Sequence, residues 1–555
     1  MPAREVAVRQ HSVDNAPVVE TSMRVPGGDA VHRAFAVQSA DGHVVVVEVE
    51  NQSSLPFALA WAVRPFTPGA IGRIDEVAVE GARIVVDGLT VALDRDAGRA
   101  VAGGVADGDA AAVVFAGEAS DATATARCPD GLGQGVAIVA VPHRATVRVA
   151  LPLDVDEPAR GLPRALPSAQ DVSSGWSTQV ANGVRYELPQ GRLTDVAARA
   201  RRRLLLGATE GARMRPALVE RDEPLATVAV IDAMGDMGRH LEAGVLLAAW
   251  FAAEPAGIGA VAPALVALRR HFDRTGDVDL VRAAREQLRD DVAVVADRVG
   301  RRADLSPALV AWCAAALEAA PGLLRCVGDS RAADDAADAA TRAAARRDDV
   351  LSAVSAEGPV ARSVLAAAAF GALAPTHPSV TRLVAAAANV ADGHDVARAL
   401  DLATIQLANG DPAGYDRLIR VAETASATGV LAPVAPADPD DVVMAAKFLR
   451  AVRCLFLMEM SSEELRLCPA PVPALAGQSL EVYGAPVGHR RVSFAVRWHG
   501  ERPALLWEVE PDPEAVAAHG DVPAFCMTSG LDPDWSSTEP RGEALLAPPR
   551  LMQTD

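Results

Sequence analysis

Apolar residues recur at three- and four-residue spacing through the middle of the chain, from Leu193 to Met460. This spacing is typical of amphipathic helices. We predict twelve helices, which would form six pairs. Their predicted ranges are 193–208, 226–237, 239–253, 263–275, 279–300, 306–319, 330–352, 362–373, 379–390, 395–408, 413–427 and 440–460.

The breaks between these helices are of two alternating kinds. Short breaks marked by glycine or proline, such as 276–277 and 410–412, indicate tight turns. The other breaks, such as 209–224 and 428–439, are mostly longer and more charged. Six antiparallel pairs with this alternation can close into a ring of inner and outer helices. The alternative is an open solenoid of helical pairs, although the chain has no fixed repeat period.

The ring hypothesis predicts where the inner helices begin. All six would start at one end of the ring, the loop-rich rim, where function tends to lie. The predicted starts are Ala226, Pro263, Ser306, Arg362, Asp395 and Asp440.

Short apolar segments punctuated by glycine and aspartate flank the helical stretch and are typical of strands. Before residue 190 the predicted strands are 43–50, 58–63, 77–86, 111–115, 136–141 and 145–151. They indicate an antiparallel sandwich, followed by a linker at 162–174. After residue 462 the predicted strands 464–468, 479–483, 491–498, 504–509 and 524–528 indicate a small β-domain. Both β-domains should pack against the helices, and Trp498 and Trp507 should be mainly buried. The expected domains are therefore 1–190, 191–462 and 463–555.

Composition narrows the possible partners and location. The chain has 53 Lys+Arg against 72 Asp+Glu, a net charge of -19, which disfavours nucleic acid and membranes as partners. The six cysteines have no CxxC spacing, and the first fifteen residues lack the apolar segment of a signal peptide. We therefore expect a cytoplasmic protein with reduced, mostly buried thiols. No cluster has metal-ligand spacing, and we predict neither a metal nor a cofactor.

Three parts of the chain carry motifs of one known family. The segment HFDRTGDVD at 271–279 contains a T-G-D turn before a predicted outer helix. Arg221-Asp222 precedes the first predicted inner helix, with Ala233-Met234 and Gly238 after it, and the third part comprises residues 465–469 and 494–508. These parts resemble, in turn, the hairpin turn, the pattern that opens the barrel and the C-terminal β-domain of actinobacterial members of the six-hairpin glycosidase superfamily. The resemblance implies an N-terminal antiparallel β-sandwich, a central (α/α)6 toroid, a small C-terminal β-domain and action on a small carbohydrate or oligosaccharide.

Glycoside hydrolysis requires two carboxylates, one of which acts as acid and the other as base or nucleophile. Asp222 is the first candidate, because the adjacent Arg221 could orient a sugar hydroxyl or keep the carboxylate ionised. Glu357 and Asp395 are the candidates for its partner, because each lies at a loop or helix start on the loop-rich rim. The residues assigned to substrate binding on the same rim are Arg221, His394 and Glu220.

Each carboxylate also has a structural interpretation. The negative charge of Asp222 would interact favourably with the dipole of the helix that follows it. Asp395 has the position of an ordinary N-cap. Asp232 and Asp236 lie four residues apart on one helix face. Because Asp236 falls at the tight-turn end, we expect it to have a surface or capping role.

Large aromatic residues are scarce in the helical stretch. Trp250, Trp312 and Tyr415 are its only tryptophan and tyrosine residues, and all three fall within predicted helices. Sugar sites commonly stack pyranose faces on such rings. The scarcity argues against an ordinary polysaccharide-cleaving cleft and is compatible with a small-sugar site. It is also compatible with the alternative function, a non-catalytic carbohydrate-binding or scaffolding protein. The oligomeric state stays open.

Overall fold

The computed structural model describes residues 8–39, 42–66, 70–119, 121–153, 166–210, 213–214, 224–252, 257–301, 304–388, 395–425, 441–512, 516 and 525–549. The chain divides into two compact units, Met1–Gln179 and Val180–Asp555.

The first unit is rich in antiparallel strands. Its described strands are β1 (Arg9–Ser12), β2 (Val19–Val25), β3 (Gly28–Ser39), β4 (Gly42–Asn51), β5 (Phe57–Val63), β6 (Glu76–Glu80), β7 (Arg83–Val86), β8 (Leu89–Leu93), β9 (Arg99–Gly104), β10 (Ala124–Arg127), β11 (Gly133–Val141) and β12 (Thr146–Pro152). One sheet has the order β1-β2-β3-β4-β12-β8-β7-β6-β10 and the other β5-β11-β9. Val77 and Ile84 of the first sheet share a buried core with Val139 and Val141 of the second. The predicted antiparallel, sheet-rich N-terminal region is confirmed.

Two predictions in this unit are wrong. The segment predicted as strand 111–115 is a short helix, α1 (Ala110–Phe115), because Asp109 caps it by accepting a 2.9 Å hydrogen bond from the backbone N–H of Ala111. The predicted linker 162–174 contains the start of helix α2 (Ala169–Ala181). There Ser168 and Asp171 each bond the other's backbone N–H, which is the reciprocal pattern of a capping box.

The second unit contains the helical stretch. Its described helices are α3 (Arg192–Ala208), α4 (Pro224–Asp236), α5 (His240–Ala252), α6 (Ile258–Thr275), α7 (Val278–Ala283), α8 (Arg285–Gly300), α9 (Pro307–Cys326), α10 (Ser330–Ser352), α11 (Pro359–Ala369), α12 (Pro378–Ala388), α13 (Val396–Ala408), α14 (Ala413–Thr424) and α15 (Asp441–Phe456). The large helical middle of the chain is therefore confirmed.

Six of these helices, which we call the core helices, contact one another in chain order. They are α4, α6, α9, α11, α13 and α15, and α15 also contacts α4. Helices α3, α5, α8, α10, α12 and α14 each pack on at least one core helix. The described positions 399–408 of α13 are buried on all sides, which is typical of a helix surrounded by others. Helix α9 is long and apolar enough to span a membrane, but 61% of its apolar window is buried inside the protein.

The core helices begin close to the predicted positions. Ser306 caps α9, its hydroxyl oxygen accepting a 3.3 Å hydrogen bond from the N–H of Leu309. The T-G-D turn also forms as predicted. Gly276 ends α6 in the left-handed conformation, with φ of 68°, and Asp277 caps α7 by accepting from Leu280.

The chain after α15 returns to strands. The strands described in this unit are β13 (Arg185–Glu187), β14 (Thr209–Glu210), β15 (Arg213–Met214), β16 (Leu457–Glu459), β17 (Glu464–Leu467), β18 (Leu480–Val487), β19 (Arg490–His499), β20 (Arg502–Pro511), β21 (Cys526–Ser529), β22 (Ser536–Ser537) and β23 (Arg541–Leu545). They form sheets of order β13-β18-β19-β20-β23 and β16-β17-β21-β22, with β14-β15 apart. Strand β13 precedes the helices in the chain yet pairs with β18.

These strands share one hydrophobic core with the helices, as predicted. Leu465 and Val482 of the strands are buried in the same cluster as Phe448 and Phe456 of α15. Trp507 is buried, and its indole N–H donates to the carbonyl of Glu539 at 2.9 Å. Trp498 keeps a minor exposed fraction, so both tryptophans are mainly buried, as predicted.

All six cysteines are free, as expected. Cys128, Cys313, Cys454 and Cys468 are buried.

Candidate functional site

Most of the residues assigned to the loop-rich rim from the sequence cannot be placed. Glu220, Arg221, Asp222 and His394 lie outside the described residues. Their roles therefore stay predictions.

The two remaining candidates, Glu357 and Asp395, lie at the starts of adjacent core helices. Glu357 is exposed and stands two residues before α11. Asp395 caps α13, its carboxylate accepting a 3.0 Å hydrogen bond from the backbone N–H of Arg398. Nη1 of Arg362 on α11 lies 3.9 Å from the same carboxylate, which is 44% exposed. The structure thus bears out the N-cap interpretation of Asp395.

The aromatic residues of the helical stretch do not provide a stacking surface at this rim. Trp250 and Trp312 are buried in the hydrophobic core, and Tyr415 is half-buried against it. A ring packed on both faces cannot stack on a sugar.

The densest group of charged side chains lies instead near the C-terminal ends of the core helices. Asp236, the last residue of α4, is buried and has three guanidinium groups within 3.4 Å. Nη2 of Arg274 on α6 donates to Oδ1 at 2.6 Å. From α15, Nη1 of Arg450 lies 3.4 Å from Oδ2 and Nε of Arg453 lies 3.4 Å from Oδ1. The predicted surface or capping role for Asp236 is wrong.

Asp232 lies one turn earlier on α4 and extends this group. Its side chain is only 1% exposed, and Oδ2 accepts a hydrogen bond from Nη1 of Arg270 on α6. Nη1 of Arg450 lies 3.7 Å from the same oxygen. Arg450 therefore contacts both aspartates and links α15 to α4. Its Nε donates at 2.6 Å to the carbonyl of Ala369, the last residue of α11.

Arg453 connects the same group to the C-terminal strands. Its Nη2 donates to Glu459 on β16 at 2.8 Å and to the carbonyl of Pro486 on β18 at 2.7 Å. Its Nη1 lies 3.4 Å from the hydroxyl of Tyr186 on β13. Because all three nitrogens have partners, Arg453 positions these strands against the helices.

Opposing electrostatic effects act on these groups. Burial by itself raises the pKa of Asp236, but the guanidinium groups of Arg274, Arg453, Arg450 and Arg270 outweigh it and lower that pKa below its usual value. Burial lowers the pKa of Arg270, and Asp232 only partly compensates because Arg450 and Arg274 add positive charge nearby. Burial also lowers the pKa of Arg450, but Asp236 and Asp232 outweigh it and raise that pKa, so the two kinds of charge stabilise each other.

A second buried pair lies on the neighbouring faces of α13 and α15. The only lysine of the chain, Lys447, donates to both oxygens of Asp401, at 2.6 and 2.8 Å. Burial raises the pKa of Asp401 and the ammonium group only partly offsets it. The amino group also lies 5.2 Å from the ring centroid of Phe370, a favourable cation–π distance.

A cavity of about 270 Å³ opens beside the arginines. Arg270, Arg274, Arg450 and Arg453 line it together with Asp236, and the turn after α11 and the segment after α15 complete its wall. Asp232 and Asp236 are bound to arginines, so neither carboxylate is free to act as a base. The chemistry that this arrangement favours is the binding of an oxyanion by guanidinium N–H groups.

Regular spacing could have indicated this group from the sequence. Asp232 and Asp236 are four residues apart, as are Arg270 and Arg274, so each pair lies on one face of its helix. Arg450 and Arg453 are three apart, with the same consequence. The described residues contain no group of three His, Cys, Asp or Glu side chains that could hold a metal ion.

No sequence-family model and no curated protein sequence matches this chain. Solved structures match its fold. A bacterial glucoamylase complexed with acarbose is similar, with a TM-score of 0.53 and 11% identity over 81% of this chain and 86% of that chain. The rhamnosidase of Bacillus sp. GL1 matches with a TM-score of 0.42 and 9% identity, over 84% of this chain and 52% of that chain. The α-L-rhamnosidase of Aspergillus terreus matches with a TM-score of 0.42 and 11% identity, over 92% of this chain and 63% of that chain.

The likeness to the glucoamylase is one of fold, since the sequence identity is low. It agrees with the fold that the T-G-D turn and the order of domains led us to expect.

Proposed function

We propose that this chain is a carbohydrate-active protein whose helices close into an (α/α)6 toroid, with the carbohydrate site at the loop-rich rim. The contact of α15 with α4, which joins the last core helix to the first, supports the closed ring over an open solenoid. The observation that carries the function is the fold likeness to the bacterial glucoamylase over most of both chains. That enzyme was solved with acarbose, a carbohydrate ligand.

The proposed reaction is acid–base hydrolysis of a glycosidic bond. Asp222 is one carboxylate, and Glu357 or Asp395 is the other. The starts of α11 and α13 support this choice of partners, because the 3.9 Å approach of Arg362 to Asp395 brings those two helix starts together. Arg221, His394 and Glu220 are the proposed contacts to the sugar.

A non-catalytic carbohydrate-binding protein is the second candidate function. The hydrogen bond from the Arg398 N–H to Asp395 favours it, because a carboxylate used as a cap is less available for proton transfer. In either case a cytoplasmic location is part of the proposal, supported by the six free cysteines.

Turnover of a panel of small aryl-glycosides tests the enzymatic function. We expect hydrolysis of at least one, and its loss in Asp222→Asn, because an amide cannot act as acid, base or nucleophile. Asp279→Asn is the matched control, since Asp279 is 91% exposed and pairs only with Arg282 in the described structure. A panel that shows no turnover contradicts the enzymatic function.

Calorimetric titration with acarbose separates the two candidates. The binding protein predicts saturable heat without turnover of any aryl-glycoside. An Asp222→Asn variant that loses activity but still binds acarbose supports the enzyme. The absence of both binding and turnover would contradict the whole proposal.

A further inference from the structure

The arginine-lined cavity has an uneven balance of charge. Its network contains four guanidinium groups and three carboxylates, which gives a net excess of one positive charge. The four are Arg270, Arg274, Arg450 and Arg453, and the three are Asp232, Asp236 and Glu459. A fourth carboxylate on the wall, Asp273, is paired with Arg269 at 2.8 Å. The excess is notable in a chain whose net charge is -19.

Two of these arginines also keep donors that the described protein atoms do not use. Arg270 bonds Asp232 through Nη1 alone, which leaves Nε and Nη2. Arg450 uses Nε and Nη1, which leaves Nη2. Their side chains stay 22% and 16% exposed, so the remaining N–H groups reach the cavity. An anion in the cavity could accept hydrogen bonds from these N–H groups.

The free Nη2 groups of the two arginines both lie beside one residue of the wall, Gly371. This residue has φ of +72°, and a Cβ atom there would collide with Nη2 of Arg270 and lie 3.7 Å from Nη2 of Arg450. Glycine therefore leaves room for two guanidinium groups to meet. Such a fork of N–H groups matches the oxygens of a phosphate or a carboxylate.

We propose that this cavity binds a small anion through a phosphate or carboxylate group held by Arg270 and Arg450 beside Gly371. The volume, about 270 Å³, is just below the range of roughly 300–1,000 Å³ typical of small-molecule sites, so the ligand is a small metabolite. The site lies near the C-terminal ends of the core helices, whereas the carbohydrate site proposed above lies at their N-terminal ends. The two proposals can therefore fail separately.

Isothermal titration calorimetry with inorganic phosphate and with succinate tests the site. Both titrations are run at constant ionic strength set by sodium chloride, because screening weakens non-specific attraction. We expect one anion to bind per chain in a saturable manner. Tighter binding of phosphate would identify a phosphate as the preferred head group, and tighter binding of succinate would identify a carboxylate. If neither binds more tightly than chloride, the proposal is wrong.

A matched pair of substitutions locates the binding. Ala374 lines the cavity and is exposed, so it can accept a longer side chain. Ala374→Glu adds a carboxylate that competes with the ligand and should weaken binding about ten-fold or more, whereas the neutral Ala374→Gln should change it by no more than about two-fold. Equal affinity in the two variants would place the anion elsewhere and overturn the proposal.

Arg270→Lys tests the geometry of the fork. Lysine keeps a positive charge beside Asp232 but has no planar pair of donors, so affinity should fall on the order of ten-fold. Arg282→Lys, at an exposed ion pair, is the control and should bind the anion as the unmodified protein does. If Arg270→Lys does not fold, the comparison of Ala374→Glu with Ala374→Gln still tests where the anion binds. Affinity unchanged in a folded Arg270→Lys protein would contradict the proposal.

Discussion

Replacing Asp236 with asparagine should strongly destabilise the second unit. The substitution keeps the shape of the side chain and removes its charge. Arg274, Arg450 and Arg453 would then face a neutral amide, and Asp232 would be the one remaining buried carboxylate of the network. The variant separates the effect of charge from that of packing.

The size of the effect follows from the burial of these groups. The pKa of Asp236 lies below its usual value although burial alone would raise it, so attraction to the arginines exceeds the cost of burying the carboxylate. Removing one partner from such a buried group costs about 3–5 kcal/mol. The Asp279–Arg282 pair has the same 2.6 Å separation as Asp236–Arg274 but is exposed. Asp279→Asn should therefore cost less than about 1 kcal/mol.

Urea denaturation followed by tryptophan fluorescence measures both variants. Five of the seven tryptophans lie in the second unit, so its unfolding dominates the signal. With a slope of about 3 kcal/mol per molar urea, Asp236→Asn should lower the midpoint by about 1–2 M. If the two variants lose similar, small amounts of stability, the buried charges do not hold these helices together and the reasoning is refuted.

The dependence on pH gives a second check on Asp236. An acid whose pKa is lowered by folding stabilises the native state at pH values above its unfolded value of 3.8. That stability is lost as the pH falls through the lower native value. The unmodified protein should therefore lose more stability than Asp236→Asn on titration below pH 3.8, and parallel curves would contradict the assignment.

Two further predictions concern buried groups whose pKa is shifted away from its usual value. Burial lowers the pKa of His240 to about 4, so only the unfolded chain takes up its proton between pH 6.5 and 4. Thermal denaturation should show a loss of about 3 kcal/mol over that window, which His240→Gln removes; equal losses in both proteins would contradict this. Burial raises the pKa of Asp291 to about 6, so its ionisation destabilises the native state as the pH rises through that value. Asp291→Asn should therefore stabilise the protein above pH 6 by about 1–2 kcal/mol, while the exposed neighbour Asp290→Asn should not, and equal effects would exclude burial as the cause.

Local patterns determined the elements and their order. The starts of the core helices lie within five residues of the predicted positions, because N-caps such as Ser306 and Asp395 act through the next three residues. The T-G-D turn was predictable for the same reason, since Gly276 and Asp277 end one helix and begin the next. Where local signals were overlooked, as with the capping box of Ser168 and Asp171, the prediction was wrong.

The same distinction between local and long-range contacts explains which features of the candidate sites could be predicted. The cap role of Asp395 could be predicted, because it depends on a backbone N–H three residues away. The burial of Asp236 could not, because its position at the end of a helix indicated a surface role. Its partner Arg450 is 214 residues distant in the sequence, and no local spacing shows that α4, α6 and α15 meet.

The sequence alone therefore determined most of the helices and strands, since propensity, periodicity and caps act over a few residues. Only the tertiary structure decided that the last core helix contacts the first and that Arg270 and Arg450 meet beside Gly371. The physical reason is burial. Whether a charged residue becomes a solvated surface group or part of a buried network depends on what distant segments pack against it, and its energy changes accordingly by several kcal/mol.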